Sequence, residues 1–102
     1  MLDLKRYKKM SKDLQGGMEK MQEELAGQEM DGTAGGGALK VTVNGNQEII
    51  KVEIKPEAVD PDDVQMLEDL FRAAANQAIE KSKEIQQASV SELTGGMNLP
   101  FL

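Results

Sequence analysis

"ALKVTVNGNQEIIKVEI", residues 38–54, decides the fold class. Two apolar alternations flank Asn44-Gly45, the pair favoured in a two-residue type I′ hairpin turn because both central positions need positive φ. With that turn Val43 faces Asn46, Val41 faces Glu48 and Leu39 faces Ile50. Leu39, Val41, Val43, Ile50, Val52 and Ile54 then share one side, and Lys40, Thr42, Lys51, Glu53 and Lys55 take the other, Ile49 being the apolar exception. A three-residue loop would change the parity and set the two apolar groups on opposite faces, so the pattern selects the even loop.

Upstream, "QEMDGTAGGGA" is a weaker strand candidate, joined to the hairpin by a flexible turn at Gly35-Gly36-Gly37. A three-stranded antiparallel meander is expected. Before it, Tyr7, Met10, Leu14, Met18, Met21 and Leu25 recur at three and four residues and draw one stripe along a helix. Gly16-Gly17 interrupts that helix at a cost of about 1 kcal/mol each relative to Ala, and Gly27 marks its end.

After the meander, "DPDDVQML" opens a second long helix. Asp60 is read as its cap, Pro61 as its first residue, and Asp62 and Asp63 as complements to the positive dipole end. Its apolar stripe runs Val64, Leu67, Phe71, Ala74, Ala78 and Ile85, and Gly95-Gly96 ends it. The fold class is therefore α+β: long helix, three-stranded meander, long helix, as a single domain over residues 1–94 with a flexible, apolar, Pro-broken tail at 95–102. The first helix would span roughly 36 Å and a six-residue strand about 20 Å. The helices must therefore project past the sheet as a protruding antiparallel pair, and the projecting stripe with the open sheet edge predicts a homodimer.

Composition narrows the chemistry. The chain has 102 residues, no Cys, no His and no Trp, so thiolate and imidazole metal sites, disulfides and the commonest general base are all excluded. "DPDD" is explained by capping and lacks the spaced ligands of a calcium loop, so no metal is expected. "GTAGGGALK" fails the GxxxxGK[ST] pattern and precedes a strand, which argues against a nucleotide. No cofactor, no small-molecule substrate and no catalysis are expected. There is no signal-peptide run and no membrane-length apolar segment, so the expected location is cytoplasmic, without membrane association.

Charge is the informative signal. The formal net charge is -6, yet residues 1–20 carry six Lys/Arg against three Asp/Glu, while residues 21–102 carry six against fifteen. "LKRYKKMSK", residues 4–12, holds Lys5, Arg6, Lys8, Lys9 and Lys12. On a helical wheel Lys5, Lys8, Lys9 and Lys12 lie nearly opposite the Tyr7-Met10-Leu14-Met18-Met21 stripe, with Arg6 to one side. The outer face turns acidic at Glu19 and Glu23, so positive charge gathers at the distal tip. If the helices pair antiparallel, Lys81 and Lys83 come level with Lys12 and enlarge that tip. Such a tip suits nucleic-acid phosphates, whose condensed counterions Lys and Arg displace, and it also suits a plain solvated helix end. The Met stripe reads as core or dimer seam.

These residues carry a family likeness. "MQEELAGQEMDGTAGGGALKVTVNGNQEIIKVEIKPEAVDPDDVQMLEDLFRAAANQAIEKSKE" resembles the YbaB/EbfC family of bacterial nucleoid-associated proteins, most specifically in "GALKVTVNG", "MLEDL" and "AAANQA", and "GGMNLP" resembles the family's tail. The resemblance implies a homodimer whose paired helices project like tweezer arms. It further implies binding to double-stranded DNA in the nucleoid with little sequence preference, a change in DNA conformation and an influence on nucleoid organisation and gene expression. Gly16-Gly17 departs from the better helix formers usual in that arm. The residues expected to contact DNA are Lys5, Arg6, Lys8, Lys9 and Lys12, supported by Lys81 and Lys83, with Leu39, Val41, Val43, Ile50, Val52, Ile54, Leu67, Phe71, Ala74 and Ala78 as core or seam. The competing reading is a dimeric helical adaptor or assembly factor that binds proteins through the Met-rich stripe.

Overall fold

The computed structural model describes residues 4–93 and Gly95. Helix α1 runs Leu4–Ala26, strands β1 (Glu29–Ala34), β2 (Leu39–Asn44) and β3 (Ile49–Ile54) follow, a short 3-10 turn covers Pro56–Ala58, and helix α2 runs Val64–Leu93. The strands form one antiparallel sheet in the order β1-β2-β3, as the meander reading expects. Apart from Gly95, the tail expected at 95–102 lies outside the described residues. The molecule is elongated, 71 × 23 × 17 Å, because α1 leaves the sheet as an arm.

The core lies between one side of the sheet and the first half of α2. Leu39, Val41 and Val43 are fully buried against Ala74, Ala75 and Ala78, with Met30, Leu67, Leu70 and Ile79 around them. Small residues are needed there. A β-carbon at Gly32 of β1 would stand 1.9 Å from the Ala74 carbonyl oxygen and 2.6 Å from the Ala78 nitrogen, so strand and helix backbones are in direct contact. With so few aromatics to fill space, the fold closes its gap by bringing backbone to backbone.

Four details differ from the sequence reading. The β2–β3 loop is odd: Asn44 donates its N–H to the Glu48 carbonyl, and Gly45, Asn46 and Gln47 form a three-residue loop with Gln47 at φ 60°. Gly45, by contrast, has no positive φ. Parity is nevertheless kept, because the register slips by one residue between Thr42 and Val43. Val43 pairs with Ile49 while Val41 pairs with Val52 and Leu39 with Ile54, which leaves Ile50 as the extra residue of a β-bulge. Odd loop and bulge cancel. Val52 and Ile54 share the side of Leu39, Val41 and Val43 as expected, but Ile49, read as the exception, faces Val43, and Leu39 stands opposite Ile54 in place of Ile50.

The second difference is burial. Helix α2 crosses β1 and β2 and leaves β3 uncovered. Val52 and Ile54 are 41% and 43% exposed, and Ile50 and Phe71 are exposed as well. They do not belong to the core of the single chain. The third is the start of α2, which begins at Val64, with the Asp63 side chain accepting the Met66 N–H; Asp60 caps the preceding turn by accepting from the Asp62 N–H. Finally, Ser82 stands fully buried on the stripe of α2, four residues after Ala78.

Candidate nucleic-acid interface

The arm is positioned by its base. At the end of α1, Leu25 is fully buried, and its carbonyl accepts the Gly45 N–H at 2.8 Å. A β-carbon on Gly45 would come within 2.8 Å of that oxygen, so Gly45 is required for close approach of two backbones. The neighbouring Asn46 donates its side-chain amide to the Gln22 carbonyl. On the other side of the loop, Ser82 Oγ donates to the Asn44 carbonyl at 2.7 Å and accepts from the Gln47 backbone and side-chain amides. The β2–β3 loop is thus a socket that joins α1, the sheet and α2. Sequence reasoning took "NG" as a turn signal and missed this role; a buried Ser continuing the Ala74-Ala78 spacing was the available clue.

Beyond the base the two helices run antiparallel over a short stretch. Gly17, Lys20, Met21 and Glu24 of α1 border a cleft with Ser89, Glu92 and Leu93 of α2, and the Leu93 Cδ1 would stand 2.9 Å from a β-carbon on Gly17. There α2 ends. Gly95, at φ 66°, donates its N–H to the Glu92 carbonyl and closes the helix in the left-handed conformation that glycine tolerates. From Gly16 back to Leu4 every residue of α1 is exposed.

That projecting segment carries the basic cluster. Lys5, Arg6, Lys8, Lys9 and Lys12 are all exposed within the first nine residues of α1. The ion pairs at Lys40, Lys51 and Arg72 lie on the sheet and α2, and among the described residues Arg6, Lys8, Lys9 and Lys12 have no carboxylate partner. The first turn of α1 holds no acidic residue, and the cluster therefore projects into solvent at the far end of a 23-residue helix.

Lys81 and Lys83 are elsewhere. Lys81 donates its ammonium to the Asp31 carbonyl of β1 at 2.7 Å. With Gly17 beside Leu93, Lys81 and Lys83 lie about 20–25 Å from Lys12 along the helix axes, at 1.5 Å per residue. They do not come level with Lys12 as the sequence reading expected, because α2 is in register with the base of α1 and stops at its middle. Lys81 has a different task. Gln77 accepts the Thr33 N–H, so Gln77 and Lys81 occupy two outward backbone groups in the middle of β1 and partly cover that sheet edge.

The sheet face away from α2 is polar and internally paired. Lys40 lies 3.2 Å from Glu53 and 3.7 Å from Asp31, and Lys51 lies 2.9 Å from Glu53. Hydrogen bonds from Lys51 and Lys40 and the charges behind them hold the Glu53 carboxyl below its ordinary range, and the Glu53 bond, with Asp31 nearby, raises Lys40. All are solvent-exposed, so water screens them. This face offers balanced charge, not a cationic track. Among the described residues no helix is long and apolar enough to cross a membrane, and no group of three or more acidic residues is set to hold a metal ion.

The model of the YbaB/EbfC DNA-binding family matches residues 1–97. The chain belongs to the YbaB/EbfC family. A nucleoid-associated protein of Alkaliphilus metalliredigens is 48% identical over 99 residues, covering 97% of this chain and 83% of the relative. One from Clostridium acetobutylicum is 47% identical over 94 residues, covering 92% and 84%. A crystal structure of an uncharacterized Helicobacter pylori protein superposes with a TM-score of 0.82 at 15% identity, over 92% of this chain and 99% of that one. That likeness is one of fold. The YbaB/EbfC assignment rests on the sequence relatives and the family model.

Proposed function

We propose that the chain is a non-enzymatic, nucleoid-located protein that works as a homodimer and grips double-stranded DNA through the ends of its α1 arms. The observation that carries this is the projection of Lys5, Arg6, Lys8, Lys9 and Lys12 on the fully exposed stretch of α1 from Leu4 to Gly16, in an otherwise acidic chain. Cations at an arm end neutralise phosphates and release counterions, which supplies affinity without reading bases. No aromatic residue other than Tyr7 lies on α1, and Tyr7 is on the stripe opposite the lysines. Low sequence preference follows from contacts confined to the backbone, and two arms closing on one duplex would bend or bridge it. Lys83, exposed near the arm base, is at most an accessory contact for DNA that passes close to the sheet, and Lys81 would have to share its ammonium with Asp31.

Dimerisation is supported by the two sheet edges. Side chains of α2 partly cover the β1 edge, whereas among the described residues no side chain of α2 bonds the β3 edge, and Ile50, Val52, Ile54 and Phe71 present apolar surface beside it. An open edge with an apolar flank is what a second copy can pair and bury. The nucleoid location and the partner rest on the relatives named above.

The experiment is titration of two duplexes of unrelated sequence at several salt concentrations, with DNA end-to-end distance read by energy transfer. The reading expects affinities within a few-fold of each other, a steep loss with salt and a changed end-to-end distance. One duplex bound orders of magnitude more tightly would overturn the low-specificity reading, and no binding to either, with capture of a protein by the Met10-Met18 face, would favour the adaptor.

A further inference from the structure

Asn44-Gly45 is a dipeptide whose side-chain amide can be lost to its own backbone, because glycine has no β-carbon to obstruct the approach of its nitrogen to Asn44 Cγ. The Gly45 nitrogen bonds to Cγ, the Cγ–Nδ2 bond breaks, and ammonia leaves with the proton that the Gly45 nitrogen gives up. Water then opens the cyclic imide to aspartate or isoaspartate.

The fold prepares one half of this reaction and blocks the other. Asn44 Oδ1 accepts the Asn46 N–H at 2.9 Å and the Glu48 N–H at 3.2 Å. Two backbone donors thus stand where negative charge develops as nitrogen adds to Cγ. The nucleophile is withheld. Gly45 is buried, and its N–H is donated to the Leu25 carbonyl of α1 at 2.8 Å, beneath a Leu25 side chain that leaves no room for a β-carbon. To attack, that nitrogen must give its proton to a base, and the docked end of α1 keeps water and base away from it. Only local opening of the arm base uncovers the nitrogen.

We propose that Asn44 is a deamidation site gated by α1: the docked arm protects Asn44-Gly45, and lifting its base frees the Gly45 nitrogen to cyclise. The product keeps the arm loose. Asn44 Nδ2 donates to Glu48 Oε1 at 3.1 Å, and an aspartate at 44 replaces that donor by an acceptor and sets two carboxylates against each other. Isoaspartate adds a carbon to the main chain between Val43 and Gly45, which shifts the loop off its bonds to Ser82 and Leu25. Gating of this kind is independent of what the arm binds.

The test is mass spectrometry of the peptide containing residues 44 and 45 after incubation at mildly alkaline pH, with hydrogen exchange of the Gly45 amide read by nuclear magnetic resonance. The native chain is compared with Leu25→Ala, with Asn46→Ala, which removes the bond to the Gln22 carbonyl, and with a free peptide of residues 40–50 as unfolded reference. Leu25 lies outside the cluster formed by the sheet and α2, so amides of residues 39–43 and 70–82 are expected to keep native exchange. Deamidation is expected to be fastest in the peptide, slow in the native chain and several-fold faster than native in both variants, in step with Gly45 exchange. If Leu25→Ala also opens the core amides, the native chain and Asn46→Ala decide. Native deamidation at the peptide's rate overturns the proposal, as does Gly45 exchange that rises without deamidation, or that stays at the native rate in both variants. Asn44→Asp is expected to speed exchange of residues 18–26 several-fold, and native exchange there overturns release of the arm by the product.

Discussion

Glycine at 32 and glycine at 16 do opposite things, although both interrupt regular elements. At Gly32 an added β-carbon would meet the α2 backbone, which cannot rotate away as a side chain can. Gly32→Ala must lift α2 off β1, and because backbone overpacking falls at the upper end of such effects we expect a loss of about 3 kcal/mol or more, read from urea unfolding. Ser82 is the second residue on which the fold turns. It is fully buried and bonds the Asn44 carbonyl and both Gln47 amides, so Ser82→Ala removes three hydrogen bonds from the socket and leaves the Asn44 carbonyl to the Gln47 N–H and the Gln47 side-chain amide to the Gly45 carbonyl. The expected cost is about 1–3 kcal/mol, with greater mobility of α1 relative to the sheet in solution scattering. A Ser82→Ala chain as stable and as rigid as the native one would show that the socket is held by its backbone contacts alone.

At the scale of elements, the arm and the β3 edge carry the functional proposal. Gly16 has nothing within 4 Å of an added β-carbon, so Gly16→Ala changes only helix propensity. It should raise stability or helicity by an amount near 1 kcal/mol, seen as higher helical circular dichroism, and unchanged helicity would mean that the distal arm is already held by other contacts. On the sheet, Val52→Lys places a charge in the uncovered apolar flank of β3. The chain should remain folded, because Val52 contributes little to the single-chain core, and should sediment as a monomer at concentrations where the proposed dimer of the native chain would form. The order of elements and the apolar side of the hairpin were legible in the sequence, since the period-two and helical alternations depend on burial of one face. The loop was not. "NG" fits a two-residue turn by local preference, but Gly45 is held against Leu25, and the bulge at Ile50 absorbs the parity change, both of which are tertiary effects. The position of Lys81 and Lys83 was equally hidden, because helix periodicity gives a face and not the axial register between two helices.

For the whole molecule, charge is divided between body and arm, as the proposed division of labour requires. The body is acidic and its exposed pairs at Lys40, Lys51 and Glu53 are balanced, whereas the arm end is cationic and unpaired at Arg6, Lys8, Lys9 and Lys12 among the described residues. On the proposed reading, like-charge repulsion from the phosphates would keep the acidic body away from DNA and leave the arm ends as the approach surface. The measurement that tests this most directly is duplex binding against salt for the native chain and for Lys5→Glu, Lys8→Glu, Lys9→Glu, Lys12→Glu combined. The account predicts a native log-log slope of several units, about 0.9 per phosphate neutralised, and a variant that stays a folded dimer and no longer binds. A folded variant that binds with the native affinity and slope would contradict it, placing the DNA surface away from the arm.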